Sequence, residues 1–577
     1  MVVTATFVVD RRRFTKLSQG DASLRTRGEK LGDFVQLFLA FVVALSVTAA
    51  LIPLLSHWAP AIGLTDAPGP RKVHSTPVPR VGGLAMASGL FIATLLTVEL
   101  SAPVRGLLLG LLVLVLFGLW DDRVNLGYAA KFAGQIIAVG LCIHVGGINI
   151  GSLSFGGVDA LPPAISTLIT FVFLIGITNA INLADGLDGL AGGMALLCLC
   201  AIALFSVASG NSTVTAISLI EAGAVLGFLR FNTHPARVFM GDCGSQTLGL
   251  SVGALALLAT QGDASPLSAA LPILLLGLPI VDTLTVMLTR IRAGRSPFAA
   301  DKNHLHHRLL ALGFAHHEAV LLIYVLQVAL VLVAYFMRFE LDSQILFAFG
   351  LFAVAVLLAL RWAAATGWRL RAVPRPSDVT PPAVTIAVTT GLPRWALLAM
   401  AASLVAYAVT VLTSIEHVAG DVGVMCVAML VVLLALVFWG AKNTLQWFER
   451  IAAYVGVVLL VYLDQTIPNK PPLLNALSWT IIAVTGAAAL TRFWLSPLRR
   501  FELTTLDLIV IFIGIVLPNL PSSAALPPDL PGGIAKAVIL LYVVEMLLTV
   551  VDFKRPMPRV LLGATLALIA VRAVYGA

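Results

Sequence analysis

Residues 161–208 read LPPAISTLITFVFLIGITNAINLADGLDGLAGGMALLCLCAIALFSVA. Two apolar runs, beginning near Leu161 and Leu187, meet at a polar stretch from Asn179 to Gly193. Runs of roughly 17 to 25 apolar residues are long enough to cross a hydrocarbon core as helices. Asn179 and Asn182 are three apart, as are Asp185 and Asp188, so at the end of a helical span each pair would project from one face. Gly186 and Gly189 leave room for a ligand against the backbone. Asn, Asp and Gly also serve purely as turn residues in such a hairpin. Carboxylates are costly in hydrocarbon, and several beside apolar spans suggest a metal and phosphates held at the membrane surface.

The rest of the chain has the same character. Of 577 residues, 59% are hydrophobic and 11% charged, against about 25% charged in soluble domains. This composition predicts an all-α polytopic membrane protein with about eighteen transmembrane helices. Eleven begin near Phe34, Gly82, Val104, Ala130, Leu161, Leu187, Thr213, Ser245, Ala269, Ala319 and Ile345. Seven more begin near Arg394, Val422, Ile451, Leu474, Leu506, Ile534 and Val560. The basic, Pro-containing stretch between the two sets reads as an exposed linker. The expected organisation is a basic tail (1–33), a membrane domain (34–366), a linker (367–393) and a second multi-span region (394–577). The run from Phe34 is too long for a signal-peptide core and reads as a retained span. The hydropathy alternates without a convincing internal sequence repeat.

In a soluble protein the net charge of +8 would suggest nucleic acid; here its distribution sets orientation instead, and no nucleic-acid partner is expected. Alternating spans put 25 Lys and Arg on the face that carries the polar clusters and 12 on the other, seven of those 12 within the first 33 residues. The positive-inside rule places the clusters in the cytoplasm, with the basic tail as the exception. Five cysteines without paired metal-ligand spacing predict neither a disulfide framework nor a zinc site.

Four further clusters carry candidate chemistry. Asp121-Asp122 ends the third span, and Lys131 opens the fourth; solvating acids and a snorkelling lysine are the ordinary alternatives. Phe239-Met-Gly-Asp-Cys-Gly-Ser245 sets Asp242 between glycines at a span's entry, where either a helix cap or a metal-bound phosphate would suit it. His304-Leu-His306-His307-Arg308 offers imidazoles and a guanidinium to phosphoryl oxygens, and its spacing is unlike that of helical zinc ligands. Arg71, Lys72, His74 and Arg80, in a Pro- and Gly-punctuated loop before the second span, suit either a shaped anion site or anionic lipid. Glu221, Asp282 and Glu545 lie at apparent membrane depth; Asp282 is expected to be a structural partner of the His loop, and Glu545 to be protonated or interfacial.

In this order the clusters resemble the polyprenyl-phosphate N-acetylhexosamine-1-phosphate transferases, over about residues 34–366. Pro79-Arg80-Val-Gly82-Gly83 and His304-Leu-His306-His307 look like the GlcNAc-type branch of that family. The resemblance implies transfer of a sugar 1-phosphate from a UDP-sugar to undecaprenyl phosphate, releasing UMP and initiating a cell-envelope glycan such as O-antigen. It further implies Mg²⁺, or Mn²⁺ in its place, a multi-pass protein of the bacterial inner membrane, and a plausible homodimer. By the same resemblance Asn182 and Asp242 would hold the metal, and Asp121, Asp122 and Lys131 would surround the lipid phosphate and pyrophosphate. Asp185 and Asp188, with Asn179 nearby, would serve the nucleotide. The His304 loop with Arg308 would cover the diphosphate or sugar, and Arg80 would bind substrate. A lipid phosphate is mostly dianionic at neutral pH, which predicts a positioning role for Asp121 rather than a large general-base contribution. The competing class is a transporter or flippase of lipid-linked sugars, which predicts paired interrupted helices in repeat halves. A catalytically silent scaffold is a third reading. Residues 394–577 carry no legible motif.

Overall fold

The computed structural model describes residues 22–66, 77–153, 160–261, 265–294, 296, 303–370, 394–415, 418, 420–439, 442–467, 470–495, scattered positions from 532 to 547, and 557–575. Helices dominate, as a bilayer requires, because a helix satisfies its own backbone where no water can. α1 (Ala22–Ile62) precedes a short antiparallel pair, β1 (Thr65–Asp66) and β2 (Val78–Pro79), with Thr65 opposite Pro79. Then come α2 (Gly82–Thr97), α3 (Ala102–Val124), α4 (Tyr128–His144), α5 (Pro163–Ala184), α6 (Leu190–Ala208), α7 (Ser212–Asn232) and α8 (Gly241–Thr260). α9 (Leu271–Leu275), α10 (Gly277–Arg292), α11 (Leu305–Ala311), α12 (His316–Met337) and α13 (Asp342–Thr366) follow. The second half contributes α14 (Arg394–Ser414), α15 (Gly420–Trp439), α16 (Lys442–Thr466), α17 (Pro472–Leu495) and α18 (Met557–Tyr575).

Each of the eleven spans expected before residue 366 coincides with helix, but the ninth is interrupted: α9 stops at Leu275 and α10 restarts after Leu276. Pro279 has no amide to donate back to Leu275, so one continuous helix would be broken there in any case. α1 begins twelve residues before the expected Phe34. Among the described residues, ten helices are long and apolar enough to cross a membrane, and three shorter apolar helices accompany them. The span expected near Leu506 and residue Glu545 lie outside the described residues, as do the tail up to Asp21, Arg71, Lys72, His74, Asp301, Lys302 and linker positions 371–393.

α8 is the axis of the first half. It packs on α3, α5, α2 and α6 and is buried along almost its whole length. Its modest hydrophobicity fits that position, since small residues let helix backbones approach where lipid is excluded. By contrast α13 shows Phe347, Leu351 and Leu358 mostly exposed, as a lipid-facing surface would. Glu221 of α7 meets the Ser251 hydroxyl of α8 in the core and thereby gains a donor for its carboxyl.

A second apolar core forms around Tyr407, Val411, Val422, Leu459, Leu463 and Ile569. It holds a charge cluster that the sequence did not reveal. The Asp464 carboxylate accepts from Lys470 at 2.5 Å, from Lys536 at 2.8 Å and from the Ser478 hydroxyl at 3.1 Å. Lys536 also lies over the Trp479 ring, 4.9 Å from its centroid.

Candidate active site

The polar clusters meet at one end of the first-half bundle, centred on the start of α8. Gly241 takes a positive φ of 71° and directs the chain into the helix. The amides of Asp242 and Cys243, orphaned at a helix start, donate to the two oxygens of Asp122 from α3, at 3.0 and 3.1 Å. Asp122 thus caps another helix. Backbone bonds from Gly82 to Phe239 O (3.0 Å), from Gly83 to Met240 O (2.9 Å) and from Phe239 to Pro79 O (2.8 Å) fix the other side of the loop.

So held, Asp242 presents its carboxylate to three elements. Lys131 of α4 bridges Asp242 Oδ2 and Asp121 Oδ2, each at 2.6 Å. Asn182 of α5 donates to Asp242 Oδ1 at 3.1 Å and to Ser245 Oγ at 2.7 Å. Asp121 Oδ1 accepts from the Leu126 amide at 2.6 Å, which ties it to the turn after α3. Neither helix capping by Asp242, nor mere solvation of Asp121, nor lipid snorkelling of Lys131 describes this arrangement. Asn179, one turn before Asn182, exchanges hydrogen bonds with Gln135, and Gln135 donates to Gln246 at 3.1 Å.

The asparagine pair does share a face of α5, but the aspartate pair does not continue it. α5 ends at Ala184, and the turn of 185–189 closes with Gly189 at φ 80°. Two glycines within four residues favour the turn over another helical step. Asp188 consequently faces the loop after α7, where its Oδ2 meets His234 Nδ1 at 2.7 Å and the Ala236 amide at 3.0 Å. Asp185 stays on the Asp242 side. Burial, and then the negative charge of Asp242, Asp122 and Asp188, push its carboxyl up to about 7.

Asp282 of α10 accepts from the Leu305 amide at 2.6 Å and pairs with His304 Nδ1 at 2.9 Å. The expected partnership is therefore present, and it fixes the imidazole's orientation. Replacing Asp282 by Ala is expected to lower turnover about 100-fold through misplacement of His304, with substrate KM changed little, as steady-state kinetics would show.

His306 lies under the Asp185 turn, where a Cβ on Gly186 would overlap its ring. Burial, and then the neighbouring His307, push its imidazole down to about 4. It is neutral at pH 7, so it could serve a phosphoryl oxygen through a hydrogen bond and not through charge. The unfolded chain takes up this proton near the ordinary histidine pKa of about 6.5 while the folded chain refuses it until about 4, so stability falls as pH drops through that window. His306→Gln is expected to flatten that part of a melting-temperature profile.

Two expected binding residues have protein partners. Arg80 pairs with Asp66 across the β1–β2 ladder, and Arg308 Nε donates to Asn303 O at 2.8 Å. Sequence reading missed Asp66, Gln135, Gln246 and His234, whereas Ser245 stood inside the Asp242 motif as a possible helix cap. Gln246 directly follows that motif, His234 lies a few residues before it and Gln135 is one helical turn past Lys131, but a lone amide or imidazole there gives no signal of its own.

Asp121 and Asp242 share Lys131, while Asp122 is held by backbone amides and Asp185 lies close enough to feel both Asp122 and Asp242. Such a gathering of hard oxygen donors suits a divalent cation of the Mg²⁺ kind, and the Asp185 carboxyl is raised by burial first and by its acidic neighbours second. Lys131, at the centre, can receive an anion.

Residues 104–260 match the model of glycosyl transferase family 4. Over 298 residues the chain is 35% identical to a probable undecaprenyl-phosphate N-acetylglucosaminyl 1-phosphate transferase of Bacillus subtilis, covering 51% of this chain and 82% of that protein. It is 40% identical over 294 residues to a decaprenyl-phosphate N-acetylglucosaminephosphotransferase of Mycolicibacterium smegmatis, covering 45% and 72%. It is 31% identical over 270 residues to the undecaprenyl-phosphate alpha-N-acetylglucosaminyl 1-phosphate transferase of Escherichia coli K12, covering 45% and 73%. With its membrane helices and its polar centre, the chain belongs to the glycosyl transferase family 4 polyprenyl-phosphate sugar-1-phosphate transferases, extended here by a second membrane region.

Proposed function

We propose that the protein transfers N-acetylhexosamine 1-phosphate from a UDP-sugar, with UDP-GlcNAc the first choice, to undecaprenyl phosphate at the cytoplasmic face of the bacterial inner membrane. UMP leaves, and the lipid-diphosphate sugar starts a cell-envelope glycan. The observation that carries this reading is the Lys131 bridge between Asp121 and Asp242, with Asn182 on the other Asp242 oxygen. Four helices, from three separate stretches of the sequence, build one anion- and cation-binding centre at the end of a membrane bundle.

The acceptor phosphate is mostly dianionic at neutral pH, with a second pKa near 6 by analogy with phosphorylated side chains. The obstacle is bringing it to another anion: at about 4 Å, each pair of unit charges repels by ~4 kcal/mol at a protein-surface dielectric. Lys131 offsets part of that repulsion and orients the attacking oxygen. Asp121 holds Lys131 in place, which is a positioning role. Asn182 and Asp242 would hold Mg²⁺: the Asn182 amide nitrogen is occupied by Asp242 and Ser245, which leaves its oxygen for an ion. When bound, the ion supplies charge neutralisation of phosphoryl oxygens. Asp185 and Asp188 shape the nucleotide region, with Asn179 braced behind Asn182. His304, oriented by Asp282, and Arg308 stand on the loop that would cover the diphosphate.

Purified protein incubated with undecaprenyl phosphate, Mg²⁺ and a panel of UDP-sugars is expected to release UMP and form a lipid-diphosphate sugar with one of them. Chelation should abolish the reaction and added Mg²⁺ restore it. Absence of UMP with every sugar, in protein that is folded and lipid-reconstituted, would overturn the reading.

A further inference from the structure

A second group of ligand-type side chains lies outside the Lys131 centre. Asp188 from the 185–189 turn, His234 from the loop after α7 and His316 from the first position of α12 each bring one oxygen or nitrogen within 4.8 Å of the other two. The His234 and His316 rings stack with centroids 4.2 Å apart and planes 24° from parallel. His234 Nδ1 is 2.7 Å from Asp188 Oδ2, whereas His316 Nδ1 is buried with no hydrogen-bond partner. The His234 side chain is 40% exposed, so the group opens to solvent on one side.

We propose that Asp188, His234 and His316 form a binding site for a zinc-class divalent ion, separate from the hard-cation centre at Asp242. Two imidazoles and one carboxylate make a three-ligand set that zinc completes with water, and imidazole donors discriminate against Mg²⁺. Donors around a tetrahedral zinc, each about 2.0–2.1 Å from the ion, lie roughly 3.4 Å apart. The His234–Asp188 pair need only open slightly and His316 close from within 4.8 Å, movements within reach of side-chain rotation. The ion would take the lone pair of a buried nitrogen that the protein leaves unpaired. The three positions are far apart in sequence and, like His304-Leu-His306-His307, lack helical zinc spacing; the first imidazole of that other loop is held by Asp282. An ion here would join the 185–189 turn to the start of α12.

The claim stands independently of transferase activity, and binding tests it directly. Untagged full-length protein in lipid nanodiscs, stripped with chelator, is titrated with Zn²⁺ against a chromophoric competitor, and with Co²⁺ for visible absorption. One equivalent of Zn²⁺ and the visible bands of low-symmetry cobalt are expected. His316→Ala and Asp188→Asn should each weaken binding at least about tenfold, whereas His317→Ala and His304→Ala should leave it unchanged. No bound equivalent, affinity unaltered in His316→Ala, or loss of binding in His304→Ala would each overturn the proposal.

Discussion

Asp242→Asn is expected to lower turnover on the order of 1,000-fold while the protein stays folded. The carboxylate receives Lys131 and Asn182 on its two oxygens. An asparagine has one oxygen and one NH₂, so one of these two donors would face another donor. The negative charge that holds Lys131 between two acids would be halved, and an oxygen suited to a divalent cation would be lost. The helix start would survive, because the Asp122 oxygens grip the backbone amides of residues 242 and 243, which the substitution leaves in place. Asp122→Asn would behave in the opposite sense. Its single remaining acceptor could serve one amide, leaving the other opposed by an NH₂, at a cost of about 1–3 kcal/mol of stability. Parallel measurement of turnover and thermal midpoint should therefore separate the two aspartates. If Asp242→Asn kept more than about a tenth of wild-type turnover, the centre would not be the one described.

That contrast marks the limit of what the sequence disclosed. Hydropathy is a local property, so the helices starting near Gly82, Leu161, Leu187 and Ile345 could be read directly, and alternation of spans brought the polar ends to one side. The neighbourhood of Asp282 and His304 was also legible, because only 22 positions separate them. The division of labour was not. Asp121 and Asp122 are adjacent and chemically identical, yet helix geometry turns one toward Lys131 and the other toward the amides of α8. Asp185 and Asp188 separate for a similar reason, once the turn replaces the helical step. The break at Leu276 left a hydropathy run that looks continuous. In the second half, the Asp464 cluster joins Asp464, Lys470 and Lys536 with the Ser478 hydroxyl, and its three charges are single and scattered along the chain. Contacts of that kind depend on how helices pack, which no single segment encodes.

Gly83→Ala is expected to lose stability and turnover together. Gly83 opens α2 against the first turn of α8, and a Cβ built there would overlap the Gly244 nitrogen and Cα. These are backbone atoms, with no flexible end to move aside, so relief requires shifting one helix from the other. Overpacking of this kind costs about 1–3 kcal/mol or more. The strain would fall on the segment that aims Asp242, because the Gly82 and Gly83 amides donate to the carbonyls of Phe239 and Met240 immediately before it. A displacement near 1 Å between Asp242 and Lys131 would lower turnover by a further factor of about 100. Gly118→Ala should act alike, since its Cβ would overlap Cys243 Cα from the α3 side. Gly140 of α4 has nothing within 4 Å of the same built atom, and Gly140→Ala should leave both quantities unchanged or raise stability slightly through helix propensity. Thermal unfolding and turnover measured on the three variants would test this, and a wild-type melting point with wild-type turnover in Gly83→Ala would show that the α2–α8 contact does not position the active site.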